Sequence, residues 1–515
     1  MPIGGAVTPH FDPRTIEIDT ARFQAREAEH YGVIDVGSNS MRLVVYDDLS
    51  RAPFPRFNEK SLVALGDGID DDGHFTQDTM DRAVHAMLRF RAISDAMGVT
   101  RVDVIATEAM RRAKNGPDLI ARIKAETGFS PRLLSGEEEA TYAAFGVISG
   151  LFQPRGLVGD VGGGSLEIAE ALGDRVGDRK VSMPLGALPV RAMMREGFDA
   201  AKKRIDDILR SDLPPMLTEP TFYAVGGGWR ALARVHMAMN SWPIAVVHAY
   251  TLPAGEVADL AKSIAKMTLE EVAQLPDVPS RRIDTLSASA MVMWRVLRKL
   301  KPDQVVFSAL GLREGWLYAQ LDTDEQYRDP LIEGALAAGL PGARVPHFPE
   351  ALARWTEELF PGEVQSDRRI RMAVCALTDI AWRDHQKIRA SHSFARILQF
   401  PFIGLTHPER AYVAAAVMAR YGGKPAKLDT AAMDILSAAE LKQAEFLGRA
   451  LLLGHRFSAS VPAILGQARL HIGAEAIRLE ISADSDVPDS DAVKERLSQL
   501  AKVFGLQPEI TVADS

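Results

Sequence analysis

The chain has 515 residues, 47% hydrophobic and 25% charged, with a net charge of −8. That length exceeds one hydrophobic core and predicts roughly three or four domains. The acidic balance argues against general nucleic-acid binding, no run of about 18 apolar residues suggests a membrane span, and the single cysteine, Cys375, excludes an internal disulfide or a cysteine metal cluster. With no signal-like stretch over Met1–Asp12, these features predict a cytoplasmic protein. Residues 1–27 read as a loose leader. Alternating apolar residues from Tyr31 to Tyr46 predict a hairpin around Asp35-Val36-Gly37-Ser38-Asn39-Ser40. A helix is expected over Asp78–Met97, with Val84, Met87, Leu88, Ile93 and Met97 on its apolar face. A strand over Arg101–Thr107 then runs into a helical stretch with Arg111, Arg112 and Lys114. Ser135 and Glu138 have capping-box spacing at the start of another helix. A second strand-turn-strand spans Leu157–Glu167, about 125 residues after the first. A third glycine run, Gly226-Gly227-Gly228, follows a short strand and precedes a helix over Ala231–Met239. Helix and strand signals alternate in this way through Leu321, which predicts an α/β build. After Thr323 the texture changes, and residues 330–458 are Ala-rich and helical in period. Strands at Ala468–Ile472, Ile477–Ile481 and Glu509–Val512 and a helix at Val493–Phe504 then predict a small α/β appendage. The expected domains are 28–143, 144–323, 324–458 and 459–515.

The chemistry concentrates in the turns. Glycine allows φ > 0 and lets N–H groups approach an anion with no Cβ in the way. Gly162, Gly163 and Gly164 suit that role, and the hydroxyls of Ser38, Ser40 and Ser165 add donors. Asp35 and Asp160 repel phosphate and are better suited to hold Mg²⁺, with Glu167 beside them. Gly227 and Gly228 aim a helix N-terminus at an anion, or simply allow close packing of strand and helix. In Glu137-Glu138-Glu139 the first complements the helix dipole and the second closes the capping box. Glu139 is left without a local role, so it is a candidate general base for water, unless all three only solvate a helix start. Arg111, after its strand, is placed to grip phosphate oxygens. Cys375 reads as a small core residue. From Ala381 to Thr430 there are eight Lys and Arg against three Asp and Glu. Such a basic region fits a polyanion, or a solvated helix face balanced by its neighbours.

Five segments resemble the exopolyphosphatase / guanosine-pentaphosphate phosphohydrolase family over nearly the full chain. They are Asp35–Leu43, Ala106–Arg111, Leu134–Ala140, Val158–Glu167 and Gly311-Leu312-Arg313-Glu314-Gly315. The resemblance implies two actin-like (ribonuclease H-like) α/β domains around a cleft, then a helical His-Asp-phosphohydrolase-like domain and a small α/β C-terminal domain. It implies Glu139 as catalytic base, Asp160 and Glu167 as Mg²⁺ ligands, and Ser38, Asn39 and Arg111 on the phosphate. The implied reaction is stepwise release of the terminal phosphate of inorganic polyphosphate. Some members also act on guanosine pentaphosphate. Many members have Ser-Gly-Thr where this chain has Gly227-Gly228-Trp229, a departure that bears on hydroxyl contacts there and leaves the backbone contacts intact. Leu377-Thr378-Asp379 lacks the His of a His-Asp pair, so no second metal centre is expected, and His385 and His392 are expected to be polar or anion contacts.

The resulting expectation is a Mg²⁺-dependent exopolyphosphatase, with K⁺ a candidate activator and a homodimer the expected assembly. Arg383, Lys387, Arg389, His392, Arg420 and Lys424 would line the polymer's path. The nearest rival is a guanosine-pentaphosphate (or tetraphosphate) phosphohydrolase using the same residues. A further rival is a nucleotide-dependent actin-like clamp. A sugar kinase fits less well, because it needs a second substrate pocket.

Overall fold

Two sheets built on one plan dominate the first part of the computed structural model, which describes residues 16–26, 29–215, 219–428, 430–485 and 490–513. The first sheet contains β1 (Tyr31–Val36), β2 (Met41–Tyr46), β3 (Pro55–Ser61), β4 (Arg101–Ala106) and β5 (Arg132–Leu133), in the order β3-β2-β1-β4-β5. The second contains β6 (Arg155–Val161), β7 (Leu166–Leu172), β8 (Arg175–Met183), β9 (Thr221–Val225), β10 (Tyr250–Pro253) and β11 (Gln304–Phe307), in the order β8-β7-β6-β9-β11-β10. In each, an antiparallel meander of three strands comes first, and a parallel strand then joins the other side of its first strand. The duplication predicted from the two turns is therefore a duplication of topology, the arrangement of an actin-like fold. Each parallel pairing requires a long crossover. Helix Gln77–Ala96 supplies the first, capped by Thr76 accepting from the Thr79 N–H. It buries Val84, Met87 and Phe90 against Ile34, Val36 and Leu43. Leu88, expected on that face, is exposed.

Helix Gly136–Gly150 opens with the predicted capping box of Ser135 and Glu138. Its Ala140, Ala144 and Val147 pack with Val158 and Ala169 of the second sheet. Its Tyr142 packs instead with Tyr31 and Val33 of the first. The expected boundary between residues 143 and 144 thus falls inside a helix that serves both sheets. Against it lies helix Leu312–Gln320, and the two backbones nearly touch. A Cβ on Gly315 would sit 1.7 Å from the Tyr142 carbonyl oxygen, and one on Gly146 would sit 2.2 Å from that of Gly311. Only glycine permits this approach.

The chain divides into two compact units. The first runs through Trp242 and resumes over Val247–Gln326; the second takes the described residues up to Arg26, Pro243–Val246 and the chain from Tyr327 on. In the second unit, helices fill the region through Ser458. Next come β12 (Ala468–Ile472), β13 (Ala476–Ile481) and β14 (Gln507–Val512), with helix Asp491–Phe504 as the crossover between the parallel pair. Cys375 is a buried free thiol, pushed up to about 12 by burial. Part of the expected loose leader is ordered: Thr20 is buried, and its hydroxyl donates to Glu350 at 2.6 Å. Residues 1–15 and 27 lie outside the described residues. Among the described residues, no helix is long and apolar enough to cross a membrane.

Candidate active site

The two turns close in the same way. The Gly37 N–H donates to the Ser40 carbonyl at 3.1 Å, and the Gly162 N–H donates to the Ser165 carbonyl at 2.9 Å. In each turn a flanking segment holds the carbonyl edge. Gly66 and Ala64 donate to Ser38 and Asn39; Leu188, Ala187 and Gly186 donate to Gly163, Gly162 and Gly164. A turn held by its carbonyls in this way turns N–H groups to its other edge, an arrangement suited to an anion. The turns face each other closely, since a Cβ on Gly163 would lie 3.0 Å from the Ser38 Cβ. Ser38, Asn39, Ser40, Gly162, Gly163, Gly164, Ser165 and Gly227 all line one cavity of about 190 Å³, together with Asp35, Glu139, Asp160 and Glu167.

Register explains how the carboxylates meet. Asp35 lies opposite Arg42 across β1 and β2, whereas Asp160 lies opposite Glu167 across β6 and β7. The equivalent exit-strand position is thus cationic in one motif and anionic in the other. Directly opposed residues share a face, and like charges there repel. Burial, then the Glu139 charge, pushes the Glu167 carboxyl well above the usual range. Asp160 is raised to about 6 by burial, with the Asp35 charge adding to it. Asp35 is also raised, chiefly by burial. A divalent cation would relieve this repulsion, so the donor set fits Mg²⁺. Among the described residues, however, no three His, Cys, Asp or Glu side chains come together as a ligand cluster. The expected trio Asp35, Asp160 and Glu167 shares the cavity without forming a closed cage.

Glu139 lies one position past the capping Glu138 and faces inward, 7% exposed. It is not without a partner, as its sequence position suggests: Arg111 donates to it and to the Leu134 carbonyl. Arg111 therefore sits behind Glu139 and is not among the cavity-lining residues. Long-range packing makes this pair, so local spacing does not reveal it. Burial pushes the Glu139 carboxyl up to about 7, with Arg111 opposing and Asp160 and Asp35 adding to the rise.

The third glycine run divides its roles. Gly226 has φ +101, and a Cβ there would meet the Val161 carbonyl oxygen at 2.4 Å. The missing Cβ of Gly227 makes room for Arg282, whose Nη2 would otherwise lie at 2.2 Å. Gly228 faces away from the cavity, with Ser289 Oγ at 2.2 Å from its would-be Cβ, so it serves packing. The helix begins at Gly227, four residues before the predicted start.

Sequence reasoning did not single out the cavity's cationic wall, whose residues are scattered along the chain. Arg42, Lys60, Arg230, Arg282 and Arg313 all line the cavity. Burial, then mutual repulsion, lowers Arg42 and Arg282 to about 10 and Lys60 to about 8. Arg313 Nε and Nη1 are buried with no hydrogen-bond partner. Arg230 Nη1 donates to the Ala309 carbonyl at 2.7 Å and Arg313 Nη2 pairs with Glu314 at 3.8 Å, so the wall's charge is partly balanced by neighbouring acids. A group of cations with some donors free suits an anion. The only available sequence signal was the run Gly311–Gly315, which holds Arg313.

In the second unit, Arg383, Lys387, His392 and Lys424 are exposed and Arg389 is half-buried. Arg420 departs from the expectation. It is 6% exposed, and its guanidinium donates to Thr378 Oγ1 at 3.2 Å and Asp379 Oδ1 at 3.4 Å. It lies on the inward face of helix His407–Arg420, so it serves that unit's interior rather than its surface.

The profile of the Ppx/GppA phosphatase family matches residues 44–324, and that of the exopolyphosphatase C-terminal domain matches residues 332–511. Exopolyphosphatase 1 of Mycobacterium bovis is 31% identical over 309 residues, covering 57% of this chain and 88% of that protein. Retrograde regulation protein 2 of Saccharomyces cerevisiae is 25% identical over 438 residues, covering 76% and 72%. Among solved structures, an exopolyphosphatase from Cytophaga hutchinsonii is 26% identical with a TM-score of 0.49, covering 56% of this chain and 97% of that one. The Aquifex aeolicus member of the Ppx/GppA family is 25% identical with a TM-score of 0.48, covering 56% and 97%. The chain belongs to the Ppx/GppA phosphatase family.

Proposed function

We propose that this protein is an exopolyphosphatase, releasing the terminal phosphate of linear inorganic polyphosphate by attack of water. The observation that carries the reading is the meeting, in one cavity, of two glycine turns, five basic side chains interleaved with acids, and a buried carboxylate raised to about 7. The terminal phosphoryl binds between Ser38-Asn39 and Gly163-Gly164-Ser165. Arg42, Lys60, Arg230 and Arg282 take the adjoining phosphates, and Arg313 offers its uncommitted N–H groups. Glu139 accepts the proton of the attacking water, a task suited to a group whose pKa lies near the working pH. Arg111 positions Glu139 and is a positioning residue in this scheme.

Asp160 and Glu167, with Asp35 nearby, would hold Mg²⁺. Bound there, the ion would supply neutralisation of phosphoryl oxygen charge. Mg²⁺ commonly binds through one or two carboxylates plus water and substrate oxygens, which agrees with an open acidic pair rather than a cage. The exposed Arg383, Lys387, His392 and Lys424 and the half-buried Arg389 of the second unit are proposed as further weak contacts for a long polymer. Action in the cytoplasm is part of this reading, in keeping with a chain whose one cysteine leaves it no internal disulfide.

The test is orthophosphate release from polyphosphates of graded length, with guanosine pentaphosphate assayed in parallel. Wild type should act on the polymer, and Glu139→Gln should lose roughly 10²- to 10⁴-fold in kcat. Near-normal turnover in Glu139→Gln would overturn the mechanism. A preference for guanosine pentaphosphate would transfer the same site to that substrate.

A further inference from the structure

Glu108 has no part in the scheme above, yet it stands at the junction of the two turns. It is the first residue of helix Glu108–Arg112, directly after β4. Ser38 Oγ donates to its Oε2 at 2.9 Å. Its Oε1 accepts from Arg112 Nη1 at 3.2 Å, and Arg112 is in turn held by donating to the Gly66 carbonyl at 2.7 Å. On the far side it abuts the second turn: a Cβ on Gly164 would lie 1.9 Å from Oε2. Ser38, Glu108 and Gly164 line the same cavity. A carboxylate therefore occupies a hydrogen-bond donor of one phosphate turn and lies against the other. Glycine at position 164 is what makes that placement possible.

The geometry points to Glu108 as a resident anion that competes with phosphate for the terminal subsite and so expels the orthophosphate product. This rests on the reading that the terminal phosphoryl binds between the two turns. An incoming phosphoryl must take the Ser38 hydroxyl from Oε2 and tolerate a nearby negative charge. Oε1 keeps its contact with Arg112, so the side chain has a place to withdraw to. The displacement cost is the same for every anion, but what offsets it differs. A polymer also engages the wall formed by Lys60, Arg230 and Arg282. Orthophosphate engages the terminal subsite alone. The resident carboxylate therefore keeps the product weakly bound while leaving the polymer bound well enough to react. Because it weakens ground-state binding of substrate and product, its removal should lower KM without a matching gain in kcat.

The experiment uses the full-length protein and its Glu108→Gln and Glu108→Ala variants. It measures inhibition by added orthophosphate and the KM and kcat for polyphosphate, with a thermal melt as a folding control. In both variants the inhibition constant for orthophosphate should fall about tenfold, the scale of one screened like charge near contact. KM should fall alongside it, and kcat should hold or drop as product release slows. Tighter orthophosphate binding is a gain that a loosened structure does not produce. An inhibition constant that is unchanged or higher in Glu108→Gln, with wild type active on polyphosphate and the variant folded, would overturn the inference alone. Where Glu108→Gln does not fold, the same criterion applies to Glu108→Ala. A wild type that releases no orthophosphate from polyphosphate would overturn the underlying reading instead.

Discussion

Glu139 is buried against Arg111, and its ionisation is set by two opposed effects. Burial raises its carboxyl to about 7, and the Arg111 guanidinium opposes the rise. A base works only when deprotonated, so kcat/KM should climb with pH through about 7, before the loss of charge on Lys60 lowers it again above about pH 8. Arg111→Met removes the opposing charge and should shift that limb to higher pH, which a pH-rate profile would show. An unmoved limb would place Arg111 outside the control of Glu139. Lys60 acts in the opposite sense. Burial and the nearby Arg282, Arg281 and Arg42 lower it to about 8, so it loses its charge as pH rises past that point. KM for polyphosphate should therefore rise above about pH 8 in wild type, and Lys60→Met should show a raised KM that no longer varies over that range.

At the scale of elements, the site depends on close backbone approach. Gly226 joins β9 to its helix with φ +101 and a carbonyl 2.4 Å from where a Cβ would stand. Gly226→Ala should cost roughly 2 to 4 kcal/mol, read from denaturant unfolding, because strain and clash add. Gly164 has no such φ; its constraint is the Glu108 carboxylate. Gly164→Ala should therefore be destabilising alone and markedly less so in combination with Glu108→Ala, which empties the space. Additive losses in that double-mutant cycle would show that the backbone, not Glu108, requires glycine there. The third turn was only half legible beforehand. Its glycine run showed a tight turn before a helix. Which glycine faced the cavity depended on Arg282 and Ser289, more than 50 residues away in the chain.

For the whole molecule, the buried acids make stability depend on pH. Asp35, Glu139, Asp160 and Glu167 all hold their protons to higher pH when folded than in an open chain. Between the usual carboxylate range and about pH 7 the folded state therefore binds more protons than the unfolded state. Their contribution is complete at low pH and is lost as pH rises through about 7. In chelator, Tm should fall from pH 5 to pH 8, and Glu139→Gln with Asp160→Asn should flatten that fall. Added Mg²⁺ should raise Tm more at pH 8 than at pH 5, because its ligands are ionised there. An equal rise at both values would argue against binding at the carboxylates.

The chain alone determined the duplication, the two glycine turns and the capping box that singles out Glu139. These rest on glycine, hydroxyl and apolar residues a few positions apart, and local backbone rules act over that distance. The tertiary structure decided the rest. It set Arg111 behind Glu139, turned Gly228 and Arg420 inward, and placed Glu108 between the turns. It also gathered Arg42, Lys60, Arg230, Arg282 and Arg313 onto one wall. Each of these depends on which strands pair and which helices cross between them. That choice is made by burial summed over the two sheets, and no short window of sequence contains it.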